Sequence, residues 1–324
     1  MSGSRNATVK RRMSASTGPE AVRHDPEVMI VGGGPAGLSG ALLLGRSMRH
    51  TLVCDTGQYR NARSRALHGF LSRDGMAPAD LLEEARAQVL RYETVRIAPI
   101  EVTRIHCLGP LQFSVATRQH GDFRCAAVLV ATGTQDAIPD VEGMAACYGI
   151  SVHVCPYCDG WEHRGGAIAI LGNGEKAMRL AILMRQWTPD LVVCTDGPAD
   201  MDRDCLAELR AGGVALREEK LVALESKMGC LTHLVFADGT RLARQALFLD
   251  TGQQTRSKLL EDAGCACGEN GIVTDADGQT SLEGLFAAGD ITKDVQLAVI
   301  AAAEGARAAL AINRALARRS TASH

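Results

Sequence analysis

The sequence is poor in aromatic side chains, which make up 4% of its 324 residues. That scarcity argues against the stacking platforms with which proteins hold single-stranded nucleic acid. Charge of one sign is also missing. Lys and Arg number 35 against 37 Asp and Glu, a formal net charge of −2, so no basic field is present to draw a polyanion. No apolar run is long or clean enough to span a bilayer. Lys10, Arg11 and Arg12 lead into no apolar core, so the start of the chain does not read as a secretory leader. Residues 1–25 read instead as a disordered lead rich in Ser, Arg, Ala and Gly. These absences predict a cytoplasmic protein with neither a nucleic-acid nor a membrane partner.

Cysteine is not scarce: there are 11. They are odd in number and scattered through a long chain with no export signal, which fits a reducing compartment and not a disulfide scaffold. Most, such as Cys54, Cys125 and Cys194, fall in apolar strand-like runs and read as small buried hydrophobes. The stretch Cys155-Pro156-Tyr157-Cys158-Asp159-Gly160 is different. Two thiols at this spacing close a disulfide on each other at little chain cost, and the thiolate is their reactive form. Asp159 is placed to accept a proton from a thiol or return one to a leaving thiolate. His153 is a second candidate base. Cys265 and Cys267 raise a four-cysteine zinc site with this pair, but the separation matches no compact zinc module, and no metal is expected.

Two Gly-rich signatures flank the pair. The first is Gly32-Gly33-Gly34-Pro35-Ala36-Gly37, after an apolar strand at 27–31 and before an Ala/Leu-rich helix. Gly32 permits the tight turn, Gly34 lets backbone approach a pyrophosphate, and Gly37 lets helix and strand pack closely. The next strand ends in Asp55, where an acid accepts from ribose hydroxyls. The second signature is Gly172-Asn173-Gly174-Glu175-Lys176-Ala177, after a strand at 167–171. The strand behind it ends in Asp196, with no arginine close by for the 2′-phosphate of NADP. This second site admits two readings, a NAD site and a structural relic. A strand ending in Ala131-Thr132-Gly133, and another ending in Gly289-Asp290 before a long helix from Gln296, supply further strand-end contacts. His68 lies in a loop-rich stretch and reads as a solvent-facing residue; Trp161 is expected to pack at the seam between domains.

The order of these signatures resembles the low-molecular-weight thioredoxin reductase family over about residues 26–318. The resemblance implies an α/β fold of two Rossmann-like dinucleotide-binding domains, each a three-layer ββα arrangement. An FAD domain would comprise 26–140 plus 247–320, and an NAD(P)-type domain carrying the CxxC would comprise 141–246. FAD would be held by Gly32, Gly34, Pro35, Ala36, Gly37, Asp55, Thr132, Gly133, Gly289, Asp290, Gln296 and Leu297. The second nucleotide site would be Gly172, Gly174, Ala177 and Asp196. Cys158 would face the flavin, Cys155 would exchange with substrate, and Asp159 would be the acid/base. Homodimers are usual in the family.

The chain departs from that pattern in two places. Thr195-Asp196-Gly197 stands where the reductases carry a His-Arg-Arg grip on NADPH, and Gln296-Leu297 replaces an Arg-Gln pair. These departures resemble the flavin-dependent dithiol oxidases that close disulfides in natural products such as gliotoxin, holomycin and romidepsin, many of which carry His where this chain has Asp159. The expectation is therefore an FAD-dependent dithiol oxidase acting on a small dithiol, with electrons passing to oxygen or NAD(P)⁺. Two alternatives stay open: an NAD(P)H-dependent thioredoxin-type disulfide reductase, and a flavin redox sensor without turnover.

Overall fold

The computed structural model describes residues 25–268, 271–292 and 295–322. The expected lead lies outside them, apart from Asp25.

Two parallel sheets organise the chain. The first runs in the order Leu285–Ala287, Ala127–Val130, Val28–Val31, Thr51–Cys54, Val95–Ala98. Its central strands are short apolar runs buried along their whole length, as a parallel sheet covered on both faces requires. Alternation along one strand separates the two faces. Val28 and Ile30 pack with the helices Pro35–Arg46, Pro78–Val89 and Ala298–Ala322. Met29 and Val31 point the other way, onto Ile105, Phe113, Val115 and Phe123 of a three-stranded antiparallel sheet spanning residues 102–125.

The second unit repeats the plan. Its sheet order is Ala215–Arg217, Leu191–Cys194, Ile168–Leu171, Ala246–Leu249, Val152–His153. Ile168 and Ile170 face the helices Gly174–Met184 and Arg203–Ala211. Ala169 and Leu171 face an antiparallel meander over residues 221–243. Each unit is thus a three-layer ββα sandwich built on a Rossmann-like parallel sheet.

Two sequence expectations shift. The strand Ala246–Leu249 pairs in register with Ile168–Leu171, so it belongs to the second sheet, and the first unit resumes beyond Leu249 and not at 247. The chain passes between units through an antiparallel pair, Thr134–Asp136 with Gln253–Thr255. Trp161 does not pack at the seam. It is 63% exposed, with the Arg164 guanidinium stacked 4.1 Å from its ring centroid. Trp187 packs within the second unit, edge-on to Tyr157 and against Gly160.

Candidate active site

A cavity of about 890 Å³ brings the first Gly-rich turn and the CxxC together. Gly32, Gly34, Pro35, Ala36, Asp55, Thr132, Gly133, Gly289, Asp290, Gln296 and Leu297 line it, as do His153, Cys155, Cys158 and Asp159. Gly37 does not line it; it packs against the Gly32 carbonyl, where a Cβ would lie 1.9 Å from the oxygen.

The fit to a dinucleotide can be judged from the turn itself. Gly32 has φ +112° and its Cβ would come 2.3 Å from the Ala131 carbonyl oxygen, so only glycine serves there. A Cβ on Gly34 would meet nothing within 4 Å, which leaves space beside the backbone on the cavity side. The helix that follows has Pro at its first turn and no side-chain cap, so its first N–H groups remain available to an anion. Asp55 accepts from the Gly57 N–H at 3.1 Å, from Arg86 at 3.0 Å and from the Tyr59 hydroxyl. Burial pushes its carboxyl up, but those hydrogen bonds prevail and hold it below the usual range, so it stays an ionised acceptor. The residues present fit FAD.

Sequence reading missed Arg60, on which this wall of the cavity converges. Its guanidinium donates to Asp136 at 2.6 and 2.9 Å, to Asp290 at 3.0 Å and to the Gln296 side-chain oxygen at 2.5 Å. Tyr148, from the second unit, donates to Asp136 as well. Burial disfavours the Arg60 charge, yet the two carboxylates outweigh it and raise its pKa. Asp290, expected as a cofactor contact, is thereby held in place. The partners lie 76, 230 and 236 positions away, so no local spacing announces them.

Cys155 and Cys158 are joined as a disulfide, their Cα atoms 5.3 Å apart. Cys155 caps the single helical turn Pro156–Asp159, and its sulfur accepts from the Cys158 N–H at 3.2 Å. Gly160 is dictated by packing: a Cβ there would sit 2.5 Å from the Pro156 oxygen and 3.1 Å from the Trp187 ring. Asp159 Oδ1 lies 3.2 Å from His153 Nδ1, and His153 Nε2 lies 3.0 Å from His163 Nε2. His163 was not singled out by the sequence. Burial first, then His153, lowers its pKa to about 4, with Asp159 opposing. By contrast burial pushes the Cys54, Cys125 and Cys194 thiols up to about 12, which makes them inert structural residues. His68 corrects another expectation. It faces the cavity, 3.5 Å from both Asp74 and Glu162.

The second Gly-rich turn forms the expected strand–turn–helix, but its polar groups are turned on the chain itself. Gly172, Gly174, Ala177 and Asp196 are not among the cavity-lining residues. The Asn173 side-chain oxygen accepts from the Gly174 and Asp200 N–H groups, both at 2.8 Å. Its amide nitrogen donates to the Thr195 and Pro198 carbonyls. Loop 195–200 is thereby fastened across the helix start. Asp196 sits at φ +53°, and its carboxylate accepts from the Leu221 N–H at 2.7 Å. Asp250 places a buried carboxylate oxygen without a protein partner beside Gly172; burial raises its pKa, with Lys176 opposing.

Two dinucleotide-type units around a redox-active CxxC define a flavin-dependent thiol-disulfide oxidoreductase, with FAD as its cofactor. The chain belongs to the pyridine nucleotide-disulphide oxidoreductase family, whose profile matches residues 26–305. It is similar to a probable thioredoxin reductase of Arthroderma benhamiae, 28% identical over 86% of this chain and 76% of that one. It is also similar to the thioredoxin reductase tcpT of Claviceps purpurea, 29% identical over 82% and 86% of the two chains. Among solved structures, HlmI aligns at TM-score 0.88 with 34% identity, covering 92% of this chain and 95% of that one. A putative thioredoxin reductase TrxB from Bacillus anthracis aligns at TM-score 0.86 with 30% identity, covering 90% and 99%. Among the described residues no helix is long and apolar enough to cross a membrane.

Proposed function

We propose that this protein is an FAD-dependent dithiol oxidase that closes an intramolecular disulfide in a small natural-product substrate. The observation that carries this reading is the self-capped second turn. Asn173 uses the Gly174 N–H that a phosphate would take, and Asp196 spends its carboxylate on Leu221. A nicotinamide cofactor would have to displace both. The CxxC meanwhile shares its cavity with the first turn.

One substrate thiolate attacks the Cys155 sulfur, the Cys155–Cys158 bond breaks, and Cys158 leaves as a thiolate. The second substrate thiol, deprotonated, attacks the mixed disulfide. The cyclic disulfide departs and Cys155 takes up a proton. Asp159, with His153 behind it, moves these protons. Bound FAD supplies the two-electron acceptor that returns the cysteines to the disulfide. Dioxygen then takes two electrons and two protons to give hydrogen peroxide. We further propose a cytoplasmic homodimer, which light scattering would check for its subunit number.

A second reading, an NAD(P)H-driven disulfide reductase, is favoured by the similarity to proteins named as thioredoxin reductases. One anaerobic experiment separates the two. The flavin's visible band is followed after adding dithiothreitol, and separately NADH and NADPH. Bleaching by dithiol alone, with colour restored by air, supports the oxidase; rapid bleaching by either nicotinamide sinks it. Cys155→Ser or Cys158→Ser is expected to keep the flavin and lose turnover.

A further inference from the structure

Oxidising a dithiol to a disulfide releases two protons along with two electrons, and making hydrogen peroxide consumes two. At the Cys155–Cys158 pair, opening the disulfide leaves a thiolate to be protonated, and closing it again gives that proton up, so a proton must reach and leave this sulfur in each cycle. The direction of that flow follows from the dithiol-oxidase reading above, whereas the line of groups described next stands on geometry alone. Asp159 lines the cavity directly after Cys158 in the chain. Its Oδ1 is 3.2 Å from His153 Nδ1. His153 is 7% exposed, and its Nε2 is 3.0 Å from His163 Nε2. His163 is half-buried and is not a cavity-lining residue. We propose that Asp159, His153 and His163 form a proton relay between the Cys155–Cys158 pair and solvent, with His163 as its outer, positioning member.

The tautomers follow from the ends inward. An ionised Asp159 holds the proton of a neutral His153 on Nδ1. His153 Nε2 is then bare and accepts from His163 Nε2–H, which leaves His163 Nδ1 bare at the outer end. In this state the relay carries a proton inward. His163 Nδ1 gains one, Nε2–H passes to His153, Nδ1–H passes to Asp159, and Asp159 protonates a departing thiolate. Both imidazoles have now exchanged tautomers, so the next proton travels outward from Asp159 along the same path. One proton in and one out alternate without a charge stored on either ring.

The surroundings suit that task. Phe248, from the neighbouring strand, presents its ring to both imidazoles, at centroid distances of 5.5 and 6.3 Å. The charged groups near His163 on its own turn are engaged elsewhere: Glu162 faces His68, and Arg164 lies over Trp161. Gln245 donates to the His163 carbonyl and fixes the turn. Burial keeps the His163 ring neutral at physiological pH, as a relay of uncharged imidazoles needs.

Two measurements on the FAD-loaded protein test the relay. The first is nitrogen NMR of histidine-labelled oxidised enzyme. His153 is expected as the Nδ1–H tautomer and His163 as the Nε2–H tautomer, and Asp159→Asn is expected to shift the His153 signals. The opposite tautomers, or two imidazoles that titrate independently, overturn the proposal. The second follows anaerobic flavin bleaching by dithiothreitol from about pH 5.5 to 9. His163→Asn is expected to slow bleaching about tenfold or more at unchanged flavin content, with partial rescue by added imidazole. A wild-type rate and pH profile in that variant overturn the relay as well. If dithiothreitol fails to bleach even the wild type, it is the oxidase reading that falls, and the tautomer measurement still decides the relay.

Discussion

Two stretches of this chain spell nearly the same local message. Gly32 to Gly37 and Gly172 to Ala177 each join a buried parallel strand to a helix, and each is followed by a strand with an acid just beyond its end. Their fates differ. At the first, the helix start has no side-chain cap, Gly34 borders open space, and Asp55 is an ionised acceptor on a cavity wall. At the second, Asn173 caps the helix start and Asp196 is turned onto Leu221. The motif specifies a strand–turn–helix in both cases. Whether that turn receives a ligand is decided by the side chains that reach it from elsewhere.

The largest expected effect comes from closing the open turn. Gly34→Val puts branched carbon into the space beside the backbone, where a Cβ meets nothing within 4 Å, so the fold should survive. Flavin content should fall at least about tenfold, read from the visible absorbance of purified protein. Full flavin occupancy in that variant would break the contrast between the two turns.

Acid should also tell the two units apart. His163 has a folded pKa of about 4 against an ordinary value of 6.5, so the folded state binds fewer protons between these pH values. Stability in the second unit is therefore lost as pH falls from 6.5 to about 4, by an upper bound of about 3 kcal/mol, lessened by solvent screening. Asp55 is shifted downward, so its contribution is intact above the ordinary carboxylate range and is lost only below it. Hydrogen exchange at pH 5 should show protection falling first in the strands around His153. Simultaneous loss in both units would contradict this ordering.

The smallest effect concerns the closed turn. Asn173→Ala removes a helix cap and should cost about 1 kcal/mol in thermal or denaturant unfolding. Flavin content and the rate of bleaching by dithiol should not change. A variant that loses flavin along with this cap would mean the second turn shapes the first cavity after all.

Much of this was legible from local sequence. The apolar runs at 28–31, 127–130 and 168–171 announce buried strands, and the glycines announce the turns between strand and helix. The CxxC with its acid needs no distant partner to be recognised. What stayed hidden is held by long-range contacts. Arg60, Tyr148 and His163 carry no spacing signal, because their partners arrive only when sheets stack and units meet. Asp196 is a further case of a partner that local spacing does not announce, since its carboxylate accepts from the Leu221 N–H 25 positions on. A strand-end acid is the usual ribose acceptor, but Gly197-Pro198 behind it marks a turn sharp enough to swing the carboxylate away.

The paired crossover strands have a mechanical consequence. The chain enters the second unit through Thr134–Asp136 and leaves through Gln253–Thr255, and these two strands are hydrogen-bonded to each other. Once the core that joins the strand at Val28 to the helix at Ala298–Ala322 has given way, tension between them runs across this clasp and bypasses everything between its two arms. The second unit hangs outside the load path, and its contour length is released only when the clasp parts.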